Sequence, residues 1–315
     1  MNTELYQKYR PATFAEVVGQ TVAVRTLTQK IKKGELPHVI LLSGPSGTGK
    51  TTLARILGTE WGCTSVNTYE INCASCRSID DVRDIDKVKN LNPLGGKGRL
   101  WIFDEAVQLP TITQQAFLTI LENPPKKAWF VFCTSRMESL LDTFIGRCFH
   151  VDLKELKPKD IETIVSNVVK KEKTKIPEKV LQAIVDKSQG SGRRALQLLE
   201  AALTQDNEAD MLRSVDVGEI GDDTEVSKLV TAIFRRGSRW EDISPMVKAL
   251  KDKPETVRWK ILYYAEACLL AGTPPQFKAQ CLLAIRLFQY DFVQCGRPGL
   301  TAACYELFQK SGKIS

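Results

Sequence analysis

The sequence has no apolar run long enough to cross a membrane. Its longest runs, such as Val39–Leu42 and Trp129–Cys133, hold about five residues, against the ~20 that a transmembrane helix needs. The opening MNTELYQKYR also lacks the apolar core of a signal peptide. We therefore expect a cytoplasmic protein with no membrane partner.

The cysteines lack the pattern of a disulfide framework. There are nine, an odd number, and they are scattered through apolar segments such as FVFCTS and AEACLL. This usage favours free thiols in a reducing compartment. With 43% hydrophobic and 26% charged residues, and with no internal repeat, the composition excludes disordered and fibrous chains.

Neither sign of charge dominates the sequence. Lysine and arginine total 44 against 37 for aspartate and glutamate, which gives a formal net charge of +7. Such an excess is compatible with a polyphosphate partner through counterion release. Many proteins reach this charge without one, so the local motifs have to indicate the function.

Four short apolar segments predict buried strands in the first half of the chain. They are Val39–Leu42, Leu100–Phe103, Trp129–Cys133 and Phe149–Leu153, and helical patterns separate them. Non-alternating strands between helices are typical of a parallel sheet covered on both faces. We therefore predict a doubly wound α/β domain over residues 1–153. Its helices are predicted at 21–33, 51–61, 78–90, 110–122 and 137–145.

The strand signal stops after residue 153. Helical patterns follow at about 158–172, 177–188 and 192–205, which predict a small three-helix domain over residues 154–215. A segment rich in glycine and acidic residues, 216–223, is typical of a linker. Helical spacing of apolar residues then predicts a third, all-α domain over 222–315.

The strongest motif lies directly after the first strand. Gly44–Thr51 fits G-x-x-x-x-G-K-[ST], between a strand and a helix as the motif requires. Its backbone N–H groups would bind phosphate oxygens, Lys50 would reach the β- and γ-phosphates, and the Thr51 hydroxyl would ligate Mg²⁺. The candidate phosphate-binding residues are Gly44, Pro45, Ser46, Gly47, Thr48, Gly49, Lys50, Thr51 and Thr52.

Two further strands end in polar residues suited to the same chemistry. Asp104 would hold Mg²⁺ through water, and Glu105 would orient and polarise a water that attacks the γ-phosphate. After the next strand, Ser135, or Thr134 close behind it, would place a hydroxyl beside that water. A strand that ends in acids or hydroxyls is common at any surface, so the combination carries the prediction.

Two arginines outside the loop are candidate charge donors. Arg147 lies just before the last strand, from where it could supply charge to a neighbouring subunit's γ-phosphate. Arg193 lies at the start of a helix in the three-helix domain and could reach the nucleotide of its own chain. Either alone would more often be a surface residue.

Further motifs accompany these residues along the chain. They are Tyr9-Arg10-Pro11 with Phe14 and Val18-Gly19-Gln20; Glu70-Ile71-Asn72 with Ser75 and Ile79–Ile85; Leu121-Glu122-Asn123-Pro124-Pro125; Gly146-Arg147-Cys148; and Gly190–Leu196. Together they resemble the AAA+ ATPase subunits of sliding-clamp loaders, namely the bacterial gamma/tau type, the small subunits of replication factor C and their bacteriophage counterparts.

The resemblance implies a function and a set of partners. It implies an ATP- and Mg²⁺-dependent AAA+ ATPase, in a bacterial or phage-infected cell, that opens a sliding clamp and loads it on primer–template DNA. The subunits would form a pentamer through helical C-terminal collar domains above small lid domains, and a DNA polymerase would be served indirectly. Tyr9, Arg10, Pro11 and Val18 would pack on the adenine.

The resemblance also assigns roles to particular residues. Arg147 would act in trans on a neighbour's ATP, and Arg193 would belong to the second sensor. Arg83, and more weakly Arg77, would contact DNA phosphates, while the turn 91–94 stands where relatives touch the clamp.

Three departures from the family pattern accompany these roles. Gly146 replaces the usual serine, Val107 replaces a polar residue, and the four-cysteine zinc module of gamma/tau subunits is missing. Cys63, Cys73 and Cys76 lack a fourth ligand nearby, so we expect no structural zinc.

Three alternatives stay open from the sequence. The chain could be a nucleotide-binding scaffold that does not hydrolyse ATP, another AAA+ machine such as a branch-migration motor or a remodeller, or a simple P-loop kinase. The residues named above favour hydrolysis, but they identify neither the partner subunits, nor the clamp, nor whether the source is cellular or viral.

Overall fold

The structure, a computed structural model, describes most of the chain. The described residues are 4–74, 82–83, 85, 87, 92–93, 95–205, 207–217, 229, 232–233, 239–250, 253–270, 275–292 and 295–311. The chain divides into two compact units, residues 1–175 with 188–197 and residues 176–187 with 198–315. The domain boundaries given above stay predictions.

A five-stranded parallel sheet lies at the centre of the first unit. Its order is β2-β3-β4-β1-β5, and every neighbouring pair is parallel. Because parallel strands end at one edge, the residues that follow β1, β3 and β4 lie close together. The strands are β1 (Val39–Ser43), β2 (Thr68–Asn72), β3 (Arg99–Asp104), β4 (Ala128–Thr134) and β5 (Phe149–Asp152).

Helices cover both faces of this sheet, as predicted for a doubly wound α/β domain. One face buries Phe103, Phe117 and Phe132, and the other buries Leu42 and Leu57. The helices whose bounds the structure describes wholly within the first unit are α1 (Leu5–Lys8), α2 (Thr21–Lys33), α3 (Lys50–Glu60), α4 (Thr111–Glu122), α5 (Asp142–Ile145) and α6 (Pro158–Lys171). The α/β fold class is therefore confirmed.

The remaining helices follow β5 in sequence. In the second unit a separate apolar core includes Ile261, Phe288 and Leu307. The buried Arg258 donates from Nη1 to the Phe288 carbonyl at 3.1 Å, so this core also holds a satisfied cation. The helices are α7 (Glu178–Lys187), α8 (Gly192–Leu203), α9 (Glu208–Val217), α10 (Trp240–Ala249), α11 (Pro254–Leu270), α12 (Pro275–Phe288) and α13 (Gly296–Ser311).

All the regular secondary structure that the structure describes in the C-terminal region is thus helical. Among those residues, no helix combines the length and the apolar character that a bilayer crossing requires.

Candidate nucleotide site

The loop after β1 turns toward the first residues of α3. Gly47 and Gly49 have φ values of 74° and 103°, which side chains other than glycine adopt only with strain. Helix α3 begins at Lys50, so its N-terminal N–H groups and the positive end of its dipole face the loop. This arrangement binds anions, phosphates above all.

The Lys50 ammonium lies against this loop. Its Nζ donates to the carbonyl oxygens of Gly44 at 2.7 Å and Pro45 at 2.8 Å. Burial lowers the pKa of Lys50; Asp104 opposes this shift and Arg193 adds to it. A nearby anion would stabilise the charged form of a partly buried ammonium that is held by neutral carbonyls. Lys50 is therefore suited to bind a phosphate group.

A hydrogen bond joins the start of α3 to the end of β3. The Thr51 hydroxyl donates from Oγ1 to Asp104 Oδ2 at 2.8 Å. A hydroxyl and a carboxylate are oxygen donors of the kind that Mg²⁺ prefers. The two predicted metal residues therefore lie together, and their chemistry fits that ion.

Glu105 follows Asp104 with unusual backbone geometry. Its φ is 55°, a left-handed conformation that a residue other than glycine adopts at some cost. Its N–H donates to Asp104 Oδ1 at 3.0 Å, and its side chain is exposed on the wall of the cavity described below. Such strain at a candidate catalytic carboxylate fits a role in chemistry.

The two hydroxyl candidates after β4 differ in their contacts. Thr134 is buried, and its Oγ1 donates to the Arg136 carbonyl at 2.9 Å. Ser135 is exposed and lines the cavity. Ser135 therefore has the available hydroxyl, although its role stays a prediction.

Arg193 approaches the phosphate-binding loop from the first turn of α8. The N–H of the preceding Gly192 donates to the Gly47 carbonyl at 3.1 Å. A Cβ added at Gly47 would lie 1.9 Å from Ser191 Oγ, so only glycine permits this approach. The Arg193 guanidinium lies 5.6 Å from the centroid of the Tyr6 ring. The Arg193 guanidinium thus places a positive charge at the wall of the cavity.

The N-terminal segment, residues 6–20, is fastened to the same region. The Gln20 side-chain amide donates to the Thr48 carbonyl at 3.3 Å and the Lys154 carbonyl at 2.6 Å. Gln20 belongs to the motif whose resemblance implies packing on the adenine, and its side chain joins this segment to the phosphate-binding loop.

Glu172 is a residue of this region that no sequence motif indicates. Its Oε1 accepts from Lys8 Nζ at 2.6 Å and from the Tyr9 hydroxyl at 2.7 Å. These hydrogen bonds, from Lys8 first and then Tyr9, hold the pKa of Glu172 below its usual range. No motif distinguishes Glu172 from the other charged residues near the end of α6.

Most of the candidate nucleotide-site residues line one cavity of about 660 Å³ within the first unit, a size typical of small-ligand sites. Of the predicted nucleotide-binding residues, Gly44 and Pro45 are not on its wall. The predicted site residues that line it are Tyr9, Arg10, Pro11, Val18, Ser46, Gly47, Thr48, Gly49, Lys50, Thr51, Thr52, Asp104, Glu105, Ser135 and Arg193.

Arg147 is not among the residues that line this cavity. Its guanidinium pairs with Glu122 at the end of α4. This placement agrees with the expectation that Arg147 does not serve its own phosphate-binding loop.

Other predicted sites are described only in part. Arg83 is exposed within a helical segment, whereas Arg77 lies outside the described residues, as do two residues of the turn 91–94. Within that turn the Asn92 carbonyl accepts from Arg99 Nη2 at 3.1 Å. The DNA and clamp contacts stay predictions.

The cysteines near β2 give no metal site in the described part of the chain. No group of three or more histidine, cysteine, aspartate or glutamate residues is arranged there to hold an ion. Cys73 is buried, burial raises the pKa of Cys63 to about 11, and Cys76 lies outside the described residues.

The sheet, the phosphate-binding loop and the arginine-bearing helix define the class of protein as an AAA+ module. Thermotoga maritima RuvB, described as a Holliday junction branch migration motor, has this fold, with a TM-score of 0.56 and 19% identity over 90% of this chain and 99% of that one. The family model described as an RCF1/5-like AAA+ ATPase lid domain matches residues 163–204.

Within this class, the chain is similar in sequence to the DNA polymerase III gamma/tau subunits. The family model "DNA polymerase III, delta subunit" matches residues 19–86 and 77–157. The gamma/tau subunit of Mycobacterium tuberculosis is 31% identical over 63% of this chain and 38% of its own length. The gamma subunit of Buchnera aphidicola is 30% identical over 64% of this chain and 60% of its own length. The tau subunit of Escherichia coli is 28% identical over 75% of this chain and 40% of its own length.

The resemblance stated from the motifs is thus confirmed. The chain spans between 38% and 60% of the length of these curated relatives.

Proposed function

We propose that this chain is the ATPase subunit of a clamp loader that opens a sliding clamp and loads it on primer–template DNA. One observation carries the proposal: Lys50, Thr51, Asp104 and Glu105 meet in a single cavity that Arg193 also lines. The relationship to gamma/tau subunits supports replication as the setting, in a bacterial or phage-infected cytoplasm.

The chain's own residues account for nucleotide binding. The loop N–H groups and Lys50 bind the phosphates, and Tyr9, Arg10, Pro11 and Val18 form the wall on which the adenine packs. Burial lowers the pKa of Arg10, and Arg55 adds to this effect. An anionic ligand would therefore also stabilise the charged form of this guanidinium. Thr51 and Asp104 would hold Mg²⁺, which when bound neutralises charge on the phosphates.

Hydrolysis needs a water in line with the bond that breaks. Glu105 would orient and polarise that water, with the Ser135 hydroxyl beside it. The water oxygen bonds to the γ-phosphorus, the bond from that phosphorus to the bridging oxygen breaks, and ADP, phosphate and a proton are the products. Arg193 stabilises charge from the same chain.

The site also needs a second copy of the chain or a related subunit. Arg147 would reach the γ-phosphate of a neighbour in a pentamer and stabilise the charge there. Engagement with DNA and the clamp would then bring each arginine to the adjacent ATP, so that hydrolysis follows loading and releases the clamp. A polymerase is a partner only through the loaded clamp.

The proposal is tested by Glu105→Gln in the full chain, with its clamp and a primer–template. We expect ATP binding to be retained and turnover to fall on the order of a hundredfold or more, because the water loses its base. Turnover of the parent should rise with DNA and clamp together more than with either alone. Glu138→Gln, at an exposed carboxylate outside the cavity, is the control. Unchanged turnover in Glu105→Gln would refute the hydrolytic role.

A further inference from the structure

The Arg147 guanidinium is held in one orientation by two parts of its own chain. Its Nε and Nη2 both donate to Glu122 Oε1, at 3.1 Å for Nε, and its Nη1 donates to the Thr143 carbonyl at 2.7 Å. Guanidinium has five N–H donors, and these bonds use three of them. Two N–H groups are therefore left for a further acceptor.

The two elements that carry this pair are fixed to each other through the core. Glu122 is the last residue of α4, and Arg147 follows α5. Phe117 of α4 and Phe144 of α5 are both fully buried, and their rings meet edge to face with centroids 6.4 Å apart. The packed core thus sets the relative positions of the two helix ends from which the Glu122 and Arg147 side chains extend.

The ion pair itself lies open to water. The Arg147 and Glu122 side chains are 31% and 50% exposed. Exposed ion pairs contribute little to the free energy of unfolding, because water screens them and two long side chains must be ordered. The contact therefore has more effect on where the guanidinium points than on stability.

We propose that Glu122 is a positioning residue for Arg147. Glu122 holds the guanidinium extended at the surface, so that its two remaining N–H groups meet the γ-phosphate bound by a neighbouring subunit. The carboxylate occupies the Nε–Nη2 edge of the planar group and the Thr143 carbonyl takes one N–H of Nη1, which leaves one N–H on each Nη nitrogen for the phosphate. This inference rests on the proposed function.

The physical gain is pre-organisation. A free arginine loses considerable side-chain freedom when it engages a phosphate, and that loss opposes the interaction. Here the Arg147 side chain is ordered before the subunits meet. Less of its electrostatic interaction with the transition state is therefore offset by lost side-chain entropy. Loss of Glu122 should therefore lower kcat and leave KM for ATP unchanged, since Glu122 is not on the cavity wall.

The test compares Glu122→Ala, Glu122→Gln, Arg147→Ala and the double variant Glu122→Ala/Arg147→Ala in the full chain, assembled with clamp and primer–template. We expect Glu122→Ala to lower kcat about tenfold, because misplacing a catalytic group by about 1 Å can cost up to a hundredfold and the remaining Thr143 contact limits the displacement. Glu122→Gln should be milder, because its amide oxygen still accepts. The double variant should match Arg147→Ala, since Glu122 acts only through that residue.

Two controls separate positioning from a structural role. Glu138→Ala removes an exposed carboxylate outside the cavity and should leave kcat unchanged. The thermal midpoint of Glu122→Ala should stay close to that of the parent, because the pair is exposed.

The inference is overturned if Glu122→Ala turns over ATP as fast as the parent or faster, or if the double variant falls below Arg147→Ala by the full single-variant factor. If Arg147→Ala is impaired and Glu122→Ala is not, only the positioning role fails. If Arg147→Ala itself hydrolyses ATP normally, the proposed trans action fails and the positioning role fails with it.

Discussion

At the scale of the residue, individual hydrogen bonds position the groups that would bind the nucleotide and its metal ion. Thr51 and Asp104 come from different elements, yet their oxygens lie 2.8 Å apart. The Lys50 ammonium is held by the carbonyls of Gly44 and Pro45, ready for an anion. These short motifs could be predicted from sequence, because each lies at the end of a strand or the start of a helix where its neighbours are defined locally.

Asp104→Asn tests the metal role without changing the size of the side chain. We expect ATP affinity measured with Mg²⁺ to fall roughly 10- to 100-fold, as for groups that orient a metal's ligands. Affinity measured in EDTA should change little, because the loop and Lys50 are intact. Asp142→Asn, an exposed carboxylate in α5, is the control. An equal loss with and without Mg²⁺ would contradict the assignment.

At the scale of the element, one contact fastens the N-terminal segment to the chain just after α6. Glu172 accepts from both Lys8 and Tyr9, and Tyr9 lines the cavity. Because the segment forms one wall of the proposed adenine site, its attachment should affect nucleotide affinity. Lys8 and Tyr9 lie 164 and 163 positions before Glu172 in the sequence. No local sequence pattern could therefore have predicted the contact.

Glu172→Gln should weaken ATP binding roughly threefold, an effect typical of an exposed ion pair. Amide hydrogen exchange at Tyr9 should become faster, since the segment loses its anchor. Glu162→Gln, on an exposed part of α6, is the matched control. Unchanged affinity and unchanged exchange would show that the contact does not order the wall.

The same contact predicts a pH dependence. Hydrogen bonds from Lys8 and Tyr9 lower the pKa of Glu172 in the folded chain. A lowered carboxyl pKa means that the stabilisation is complete above the ordinary value of about 4.3 and is lost as pH falls through the folded value. Segment protection should therefore be flat from pH 8 to about 5.5 and decline only in acid, and Glu172→Gln should lack that decline.

Elements with a continuous apolar pattern could be predicted, and partly exposed ones could not. The four apolar segments form β1, β3, β4 and β5, but β2 (Thr68–Asn72) was not predicted because it is an edge strand with three exposed residues among five. The helical stretch predicted around 137–145 is interrupted rather than continuous. The chain forms a 3₁₀ helix at Met137–Ser139 and then α5, and Leu140 and Leu141 between them have extended backbone.

At the scale of the whole molecule, we propose that a neighbouring chain completes the candidate site. Lys50 and Glu105 line the cavity, whereas Arg147 pairs with Glu122 and does not. Motifs could predict that these residues act together, but the partner that holds Arg147 depends on how α4 and α5 pack. The central claim is that ATP is bound between two subunits, each of which contributes different residues.

Mixing two inactive variants tests this claim most directly. Lys50→Ala lacks the phosphate contact and keeps the arginine; Arg147→Ala has the reverse defect. If neighbours share a site in a head-to-tail ring, an equal mixture should regain up to about a quarter of parental turnover, the share of interfaces with both groups intact. A mixture of Lys50→Ala with the double variant Lys50→Ala/Arg147→Ala should stay inactive.

Assembly of each variant would be checked by analytical ultracentrifugation before turnover is measured. Recovered turnover in the first mixture alone is the predicted result. A mixture of correctly assembled subunits that stays as inactive as its two components, while the parent hydrolyses ATP, would contradict the account.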